Sequence, residues 1–445
     1  MSSELLATYA GLGTYDGENY YKGDECLACV KDLIRALKVD DDTCEIRRHL
    51  GKAGILQKDL LSILVNFSDD TILRNDVIRL LVNLTQPAYL CFGKTYPRGK
   101  EKDAMRYFME VNHYLRQYKE AFVAERVMQV LGAALGEMCK KDWQSREDDD
   151  VVLVERILVL VRNILHVPPD PQEEKRTDDD VSIHDQIIWN LHSNGIDDLL
   201  LFLGSNPDEK QWCMHVLEIL FLILREQSPA VLAKTGKTRT VEERKKDEEA
   251  IDDLIQRERA HKQAMRQICG TRHSRFGGTY VVMNEKSISD QNQIYHRPLQ
   301  SLGLLSRDVE KRPRRTNKLR RPAPDAPGER CSTYSVRMIL RNLCCQFLDC
   351  CYNSIMSYVL HNVKHNKAMD NDETYYLWTL RFMMEFNRLD TFNIGLVGET
   401  LELGTMHYVL QLMASYYESM LVEKKVVQDA KLWAQSMNAS SVLLA

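Results

Sequence analysis

Glycine and proline are scarce in this chain, 21 and 12 among 445 residues, which excludes collagen-like and low-complexity architectures and argues against a turn-dense all-β fold. Long apolar runs are missing too. The longest, Ile219 to Leu224, falls far short of the roughly 20 residues that span a bilayer, so no membrane segment is expected. Met1 to Gly11 includes Glu4 and has neither a basic start nor an apolar centre, so no secretory leader is expected and the cytoplasm or nucleus is the expected compartment. A large excess of one charge is also absent. With a net charge of -5 the molecule is no polycation, and any basic surface must be local. The 12 cysteines are therefore read as buried hydrophobes rather than disulfides.

Helical periodicity dominates what remains. Arg79-Leu-Leu-Val-Asn-Leu-Thr-Gln-Pro87 places apolar residues one turn apart, adds an Asn and ends on a proline that cannot continue a helix. Leu160-Val-Arg-Asn-Ile-Leu-His-Val-Pro168 repeats the phrase, Ile63-Leu-Val-Asn-Phe-Ser68 and Ile339-Leu-Arg-Asn-Leu-Cys344 echo it, and Val216 to Leu224 keeps its apolar part. All five are expected to be inner helices of a stacked array. One core of ordinary shape cannot serve 445 residues, whereas helix pairs that share their apolar faces can be added lengthwise. The expected fold is all-α, an armadillo/HEAT-like helical-repeat solenoid forming a right-handed superhelix with a long irregular insertion. Helical repeats are expected over 1–226 and 332–426, with a charged insertion over 227–331 and a helical tail over 427–445.

Chemistry-bearing motifs are few. Gly236-Lys237-Thr238 has Val231 where a phosphate-binding loop needs glycine. His361 and His365 are one helical turn apart, but Asn362 stands where a zinc protease carries glutamate. Cys26 and Cys29 have no second pair at zinc-site spacing, and Cys344, Cys345, Cys350 and Cys351 cannot converge on one ion from a helix. No metal, no cofactor and no catalytic residue is expected, and the chain is read as a non-enzyme.

Two segments of the insertion stand out. Arg272-His-Ser-Arg-Phe-Gly-Gly278 precedes the β-prone Thr279 to Val282. A phosphate cradle would need a following helix, and a buried hairpin would have to bury Arg272 and Arg275. The expectation is a partner-binding hook of Arg272, His273, Arg275, Phe276, Gly277 and Gly278, with docking onto its own solenoid as the alternative. Lys311 to Arg321 carries seven cations and no acid: Lys311, Arg312, Arg314, Arg315, Lys318, Arg320 and Arg321. It suits a phosphate backbone, a nuclear import signal, a tether for an acidic partner or a solvated linker, and the seven cations are taken as DNA-binding candidates.

Leu5 to Thr8, Ile78 to Ala88, Arg156 to Pro168, His184-Asp-Gln186, Asp197 to Phe202, Arg272 to Gly278 and Asp372 to Tyr376, in that order, closely resemble the N-terminal domain of the Timeless family. The resemblance implies a nuclear scaffold of the replication fork protection complex, with Tipin, replicative helicase subunits, Claspin and duplex DNA as partners. The family also has a circadian branch that pairs with Period. The phrases at 78–88 and 272–278 look closer to the replication branch, and the clock module without DNA contact is the alternative.

Overall fold

The computed structural model describes residues 3–16, 19–93, 102–168, 181–236, 278–282, 293–297, 332–364 and 373–422, with two isolated positions, 256 and 260. The chain divides into two compact units, one of residues 1–174, 181–235 and 332–445, the other of 175–180 and 236–331.

The first unit is a helical-repeat solenoid. Its helices are α1 (Ser3–Ala10), α2 (Cys26–Lys38), α3 (Glu45–Ala53), α4 (Leu61–Asn66), α5 (Thr71–Leu84), α6 (Ala88–Cys91), α7 (Lys102–Ala121), α8 (Glu125–Lys140) and α9 (Asp148–His166). After them come α10 (Ile183–Ser193), α11 (Ile196–Ser205), α12 (Cys213–Leu224), α13 (Pro229–Lys234), α14 (Tyr334–Cys350), α15 (Tyr352–Lys364), α16 (Glu373–Asp390) and α17 (Leu403–Val422). Local chemistry sets the starts. The Asp70 carboxylate accepts from Leu73 N–H at 3.2 Å, the Ser182 hydroxyl accepts from Asp185 N–H, and Glu147 with Asp150 forms a capping box. Gly195, at φ 67°, makes the left-handed turn into α11 without steric cost.

Two layers result. In the inner one α2 packs on α5, α5 on α9, α9 on α12 and α12 on α16. Side-chain pairs join successive helices within this layer. Lys31 meets Asp76 at 3.7 Å, Asn163 reaches Val82 and Thr85, Arg162 meets Glu218 at 3.1 Å, and the Phe221 ring sits 4.8 Å from those of Tyr375 and Trp378. The Asn of the repeated phrase therefore has a packing role: the Asn163 amide donates to the Val82 carbonyl and Thr85 Oγ1, 3.4 Å each, tying α9 to the last turn of α5. Arg47 of α3 donates to the carbonyls of Asn83 and Leu84 at the same place, meeting acceptors that the helix end leaves open. In the centre, α12 buries Val216, Leu217, Ile219, Leu220, Leu222, Ile223 and Leu224, so it is apolar all round rather than on one stripe. Each such side chain contributes about 1.5–3 kcal/mol of burial.

Two of the five expected inner helices belong elsewhere. α4, with Ile63 to Asn66, packs on α8, and α14, with Ile339 to Cys344, packs on α10 and α11 in the second layer. An Ile-Leu-x-Asn phrase marks a helix buried on two sides, which either layer can supply. The first unit is also not wholly helical, since Gly13–Tyr15 (β1) pairs antiparallel with Tyr20–Lys22 (β2). The array continues past the expected start of the insertion, because Pro229 begins α13, which packs against α16.

In the second unit Gly278–Val282 (β3) pairs antiparallel with Gln293–Arg297 (β4), with Tyr280 opposite Tyr295.

Candidate functional site

The insertion leaves the solenoid after Thr235 and returns at Ser332. The return point is held by a buried polar chain. Ser332 Oγ donates to Asp185 Oδ1 at 2.9 Å, and Gln227 Nε2 donates to Ser332 Oγ at 2.8 Å. Asp185 lies in the first turn of α10, where the helix dipole favours a negative charge. Next to it in sequence, His184 Nδ1 lies 3.1 Å from Lys119 Nζ, which also donates to the Val167 carbonyl at 2.6 Å. An ammonium can only donate, so His184 accepts through Nδ1 and carries its proton on Nε2. Lys119 of α7 and the exit of α9 thus meet at His184, while the approaches to α13 and α14 meet at Asp185 of the same helix. Buried polar groups of this kind are stable only when mutually satisfied, so they fix relative positions closely. The Asp185 group holds Ser332, the residue at which the chain re-enters the first unit.

The second feature is the solvent edge of the inner layer. On α9 Val152, Arg156 and Val159 share one half-buried stripe, and on α5 Arg79 and Val82 share another. Further along, Arg162 pairs with Glu218, and the half-buried rings of Phe221, Tyr375 and Trp378 gather against the buried Phe382. The edge is mixed in charge at one end and aromatic at the other.

Two histidines on this layer are held neutral. Burial, then the positive charges of Arg225, Arg162 and Lys119, push His166 down to about 4. Burial and then Arg162 push His215 down to about 4. In the unfolded chain both titrate near pH 6.5, so below that pH the unfolded state binds more protons. Their stabilisation is complete above about pH 6.5 and is lost as the pH falls toward 4, on the order of 1 kcal/mol from each after allowance for partial exposure. Urea unfolding at pH 7 and pH 5 checks this. The His166→Gln/His215→Gln variant is expected to lose less stability across the interval than the wild type does.

Of the residues singled out in the sequence, Gly278 is the first residue of β3, paired with Arg297. Arg272, His273, Arg275, Phe276 and Gly277 lie outside the described residues, as do Lys311, Arg312, Arg314, Arg315, Lys318, Arg320 and Arg321. His365, Asp372 and the 427–445 tail lie outside them as well. Among the described residues no group of three metal-ligating side chains forms, and no helix is long and apolar enough to cross a membrane. Cys26 is buried at the start of α2, and burial pushes its thiol up to about 11, so it is a packing residue rather than a nucleophile. Sequence reasoning missed Lys119, Gln227 and Ser332. None carries a local signal, since their partners lie 48 to 147 positions away.

The family model described as Timeless protein matches residues 19–282. Proteins named "Protein timeless homolog" from Mus musculus and Homo sapiens are each 46% identical over 438 residues, 98% of this chain and 36% of their own length. "Topoisomerase 1-associated factor 1" of Aspergillus niger is 25% identical over 418 residues, 86% of this chain and 34% of that protein. The chain thus spans about a third of the length of the curated relatives it matches. Identity over nearly the whole chain, joined to a two-layer helical array, assigns it: the chain belongs to the Timeless family.

Proposed function

We propose that this chain is part of a non-enzymatic nuclear scaffold of the replication fork protection complex, binding partner proteins and duplex DNA to stabilise forks and support checkpoint signalling. Family membership over 98% of the chain carries the reading. A relative named for its association with topoisomerase 1, an enzyme of DNA, points the same way. A stacked helical array supports it physically, because it offers extended rigid surfaces on which several weak contacts add through effective concentration.

In this reading Lys311, Arg312, Arg314, Arg315, Lys318, Arg320 and Arg321 contact the phosphate backbone without reading bases, and Arg272, His273, Arg275, Phe276, Gly277 and Gly278 engage a protein. Tipin, helicase subunits and Claspin are the proposed partners. The test is duplex binding by fluorescence anisotropy across a salt series. Replacing Arg312, Arg314, Arg315, Arg320 and Arg321 with glutamine is expected to flatten the slope of log affinity against log salt by about 4.5, that is about 0.9 for each phosphate no longer neutralised. An unchanged slope overturns the DNA assignment. A photocrosslinker at Phe276 in a nuclear extract is expected to capture helicase subunits, and capture of Period-type proteins alone would favour the clock module.

A further inference from the structure

A cavity of about 220 Å³ opens beside the end of α16. Leu348 and Asp349 of α14 line it, with Phe386, Asn387 and Asp390 of α16 and, in the chain that follows, Thr391 and Leu396. No basic residue is in the lining. Asp390 is already balanced, since Arg341 Nη2 donates to its Oδ1 at 2.9 Å. The exposed Asp349 carboxylate has no ion pair among the described residues, so the cavity carries one unbalanced negative charge. The loop between Thr391 and Leu396 is braced from two helices. The Asn387 side chain, 2% exposed, donates to the Asn393 carbonyl at 2.9 Å and accepts from the Asn393 N–H at 3.1 Å, and the Phe392 N–H donates to the Asn387 carbonyl. From α15, the Asn353 amide donates to the Gly395 carbonyl at 3.2 Å. The bracing keeps Phe392 at φ 35°, a left-handed conformation that strains a phenylalanine. Yet Phe392 is 62% exposed and Ile394 57%. An exposed ring adds little packing to set against that strain, which points to contact with another molecule.

We propose that this cavity and its apolar rim bind an arginine-bearing segment of a partner protein, with the guanidinium on Asp349 and apolar neighbours of that arginine on Phe392 and Ile394. The cavity is smaller than the roughly 300 Å³ at which small-molecule sites begin, so it suits a single side chain. Leu348, Phe386 and Leu396 give apolar walls for an aliphatic stem, and a carboxylate takes a guanidinium through two parallel hydrogen bonds. A lysine ammonium would balance the charge without matching that planar geometry. Nucleic acid is disfavoured by the lining carboxylates, and a free polyamine would leave Phe392 and Ile394 uncovered. On an extended chain residues two apart share a face, so the fitting segment has an apolar residue two positions to either side of its arginine. The site is separate in sequence from the contacts proposed at 272–278 and 311–321 and depends on neither.

The experiment uses the 445-residue chain and a fluorescein-labelled Gly/Ser peptide containing Leu-Ser-Arg-Ser-Leu, read by anisotropy, beside the same peptide with citrulline in place of arginine. Citrulline keeps the shape without the charge, so its peptide is expected to bind about tenfold more weakly. Asp349→Asn is expected to weaken the arginine peptide about tenfold and leave the citrulline peptide unchanged, whereas Phe392→Asn is expected to weaken both about fivefold. Asparagine adopts a left-handed φ readily, so the melting temperature of Phe392→Asn is expected at or above that of the wild type, which separates lost binding from lost fold. Replacing Arg312, Arg314, Arg315, Arg320 and Arg321 with glutamine is expected to leave peptide affinity as it is, so the DNA reading and this one fail separately. No binding of the arginine peptide, equal binding of the two peptides, or full affinity in Asp349→Asn would each overturn the proposal. A concentration-dependent dimer of the chain that Phe392→Asn dissolves would assign the rim to a second copy and overturn it as well.

Discussion

Glu209→Ala is expected to lower the unfolding free energy by about 3–5 kcal/mol, the largest single-residue effect in the molecule outside its apolar core. Glu209 is 1% exposed and the Arg146 side chain 3%, and Glu209 Oε1 lies 2.6 Å from Arg146 Nη2. Its other oxygen accepts from Trp212 Nε1 at 3.0 Å, while Arg146 Nε donates to the Lys141 carbonyl. Every polar atom of the carboxylate is thus used, and the pair clamps the 141–148 connection, which carries the start of α9, to the 3₁₀ turn Pro207–Trp212 before α12. Removing the carboxylate leaves a guanidinium without a counter-ion and an indole N–H without an acceptor in a dry site. Urea unfolding followed by circular dichroism measures the loss. The double variant Arg146→Met/Glu209→Leu is expected to recover most of it, because an apolar pair of similar volume incurs no desolvation cost. A loss below about 1 kcal/mol for Glu209→Ala would show the pair to be solvated, as surface pairs are.

Lys119→Ala is expected to cost about 3 kcal/mol, divided between a cavity and the removal of two hydrogen bonds. Lys119 is 4% exposed, and its ammonium bridges the Val167 carbonyl and His184 Nδ1 between α7, the exit of α9 and α10. The comparison with Lys119→Met separates the two parts. Methionine keeps most of the stem volume but cannot donate, so its deficit against the wild type reports the stranded carbonyl and imidazole, and the further deficit of alanine reports the cavity. Wild-type stability in the methionine variant would show that the hydrogen bonds contribute nothing net. Neither variant touches a residue proposed to bind DNA, so both are expected to change the melting transition and leave the salt slope of duplex binding as it is.

Much of the array was legible because its signals are local. A proline after each of the Arg79 and Leu160 phrases ends α5 and α9 where expected, and Asn194-Gly195 opens α11 through a left-handed glycine. Layer membership was not legible. The phrases in α4 and α14 read like those in α5 and α9, yet they pack in the other layer, because burial on two sides leaves the same apolar signature whichever neighbours provide it. The β1–β2 hairpin was missed for a different reason: its strands are three residues each, too short for an alternating pattern to register.

The candidate sites divide along the same line. The run of cations at 311–321 is visible in the sequence because charge density is a local property, summed over neighbours in the chain. By itself the sequence determined an all-α repeat architecture, the absence of a long apolar span, one concentrated basic segment and the family. Only the tertiary structure decided that Lys119 meets Val167 and His184, and that Gln227 and Ser332 meet Asp185 on the same helix. A hydrogen bond or a charge repulsion acts over a few ångströms of space, and separations of 48 to 147 residues become such distances only once the helices have stacked.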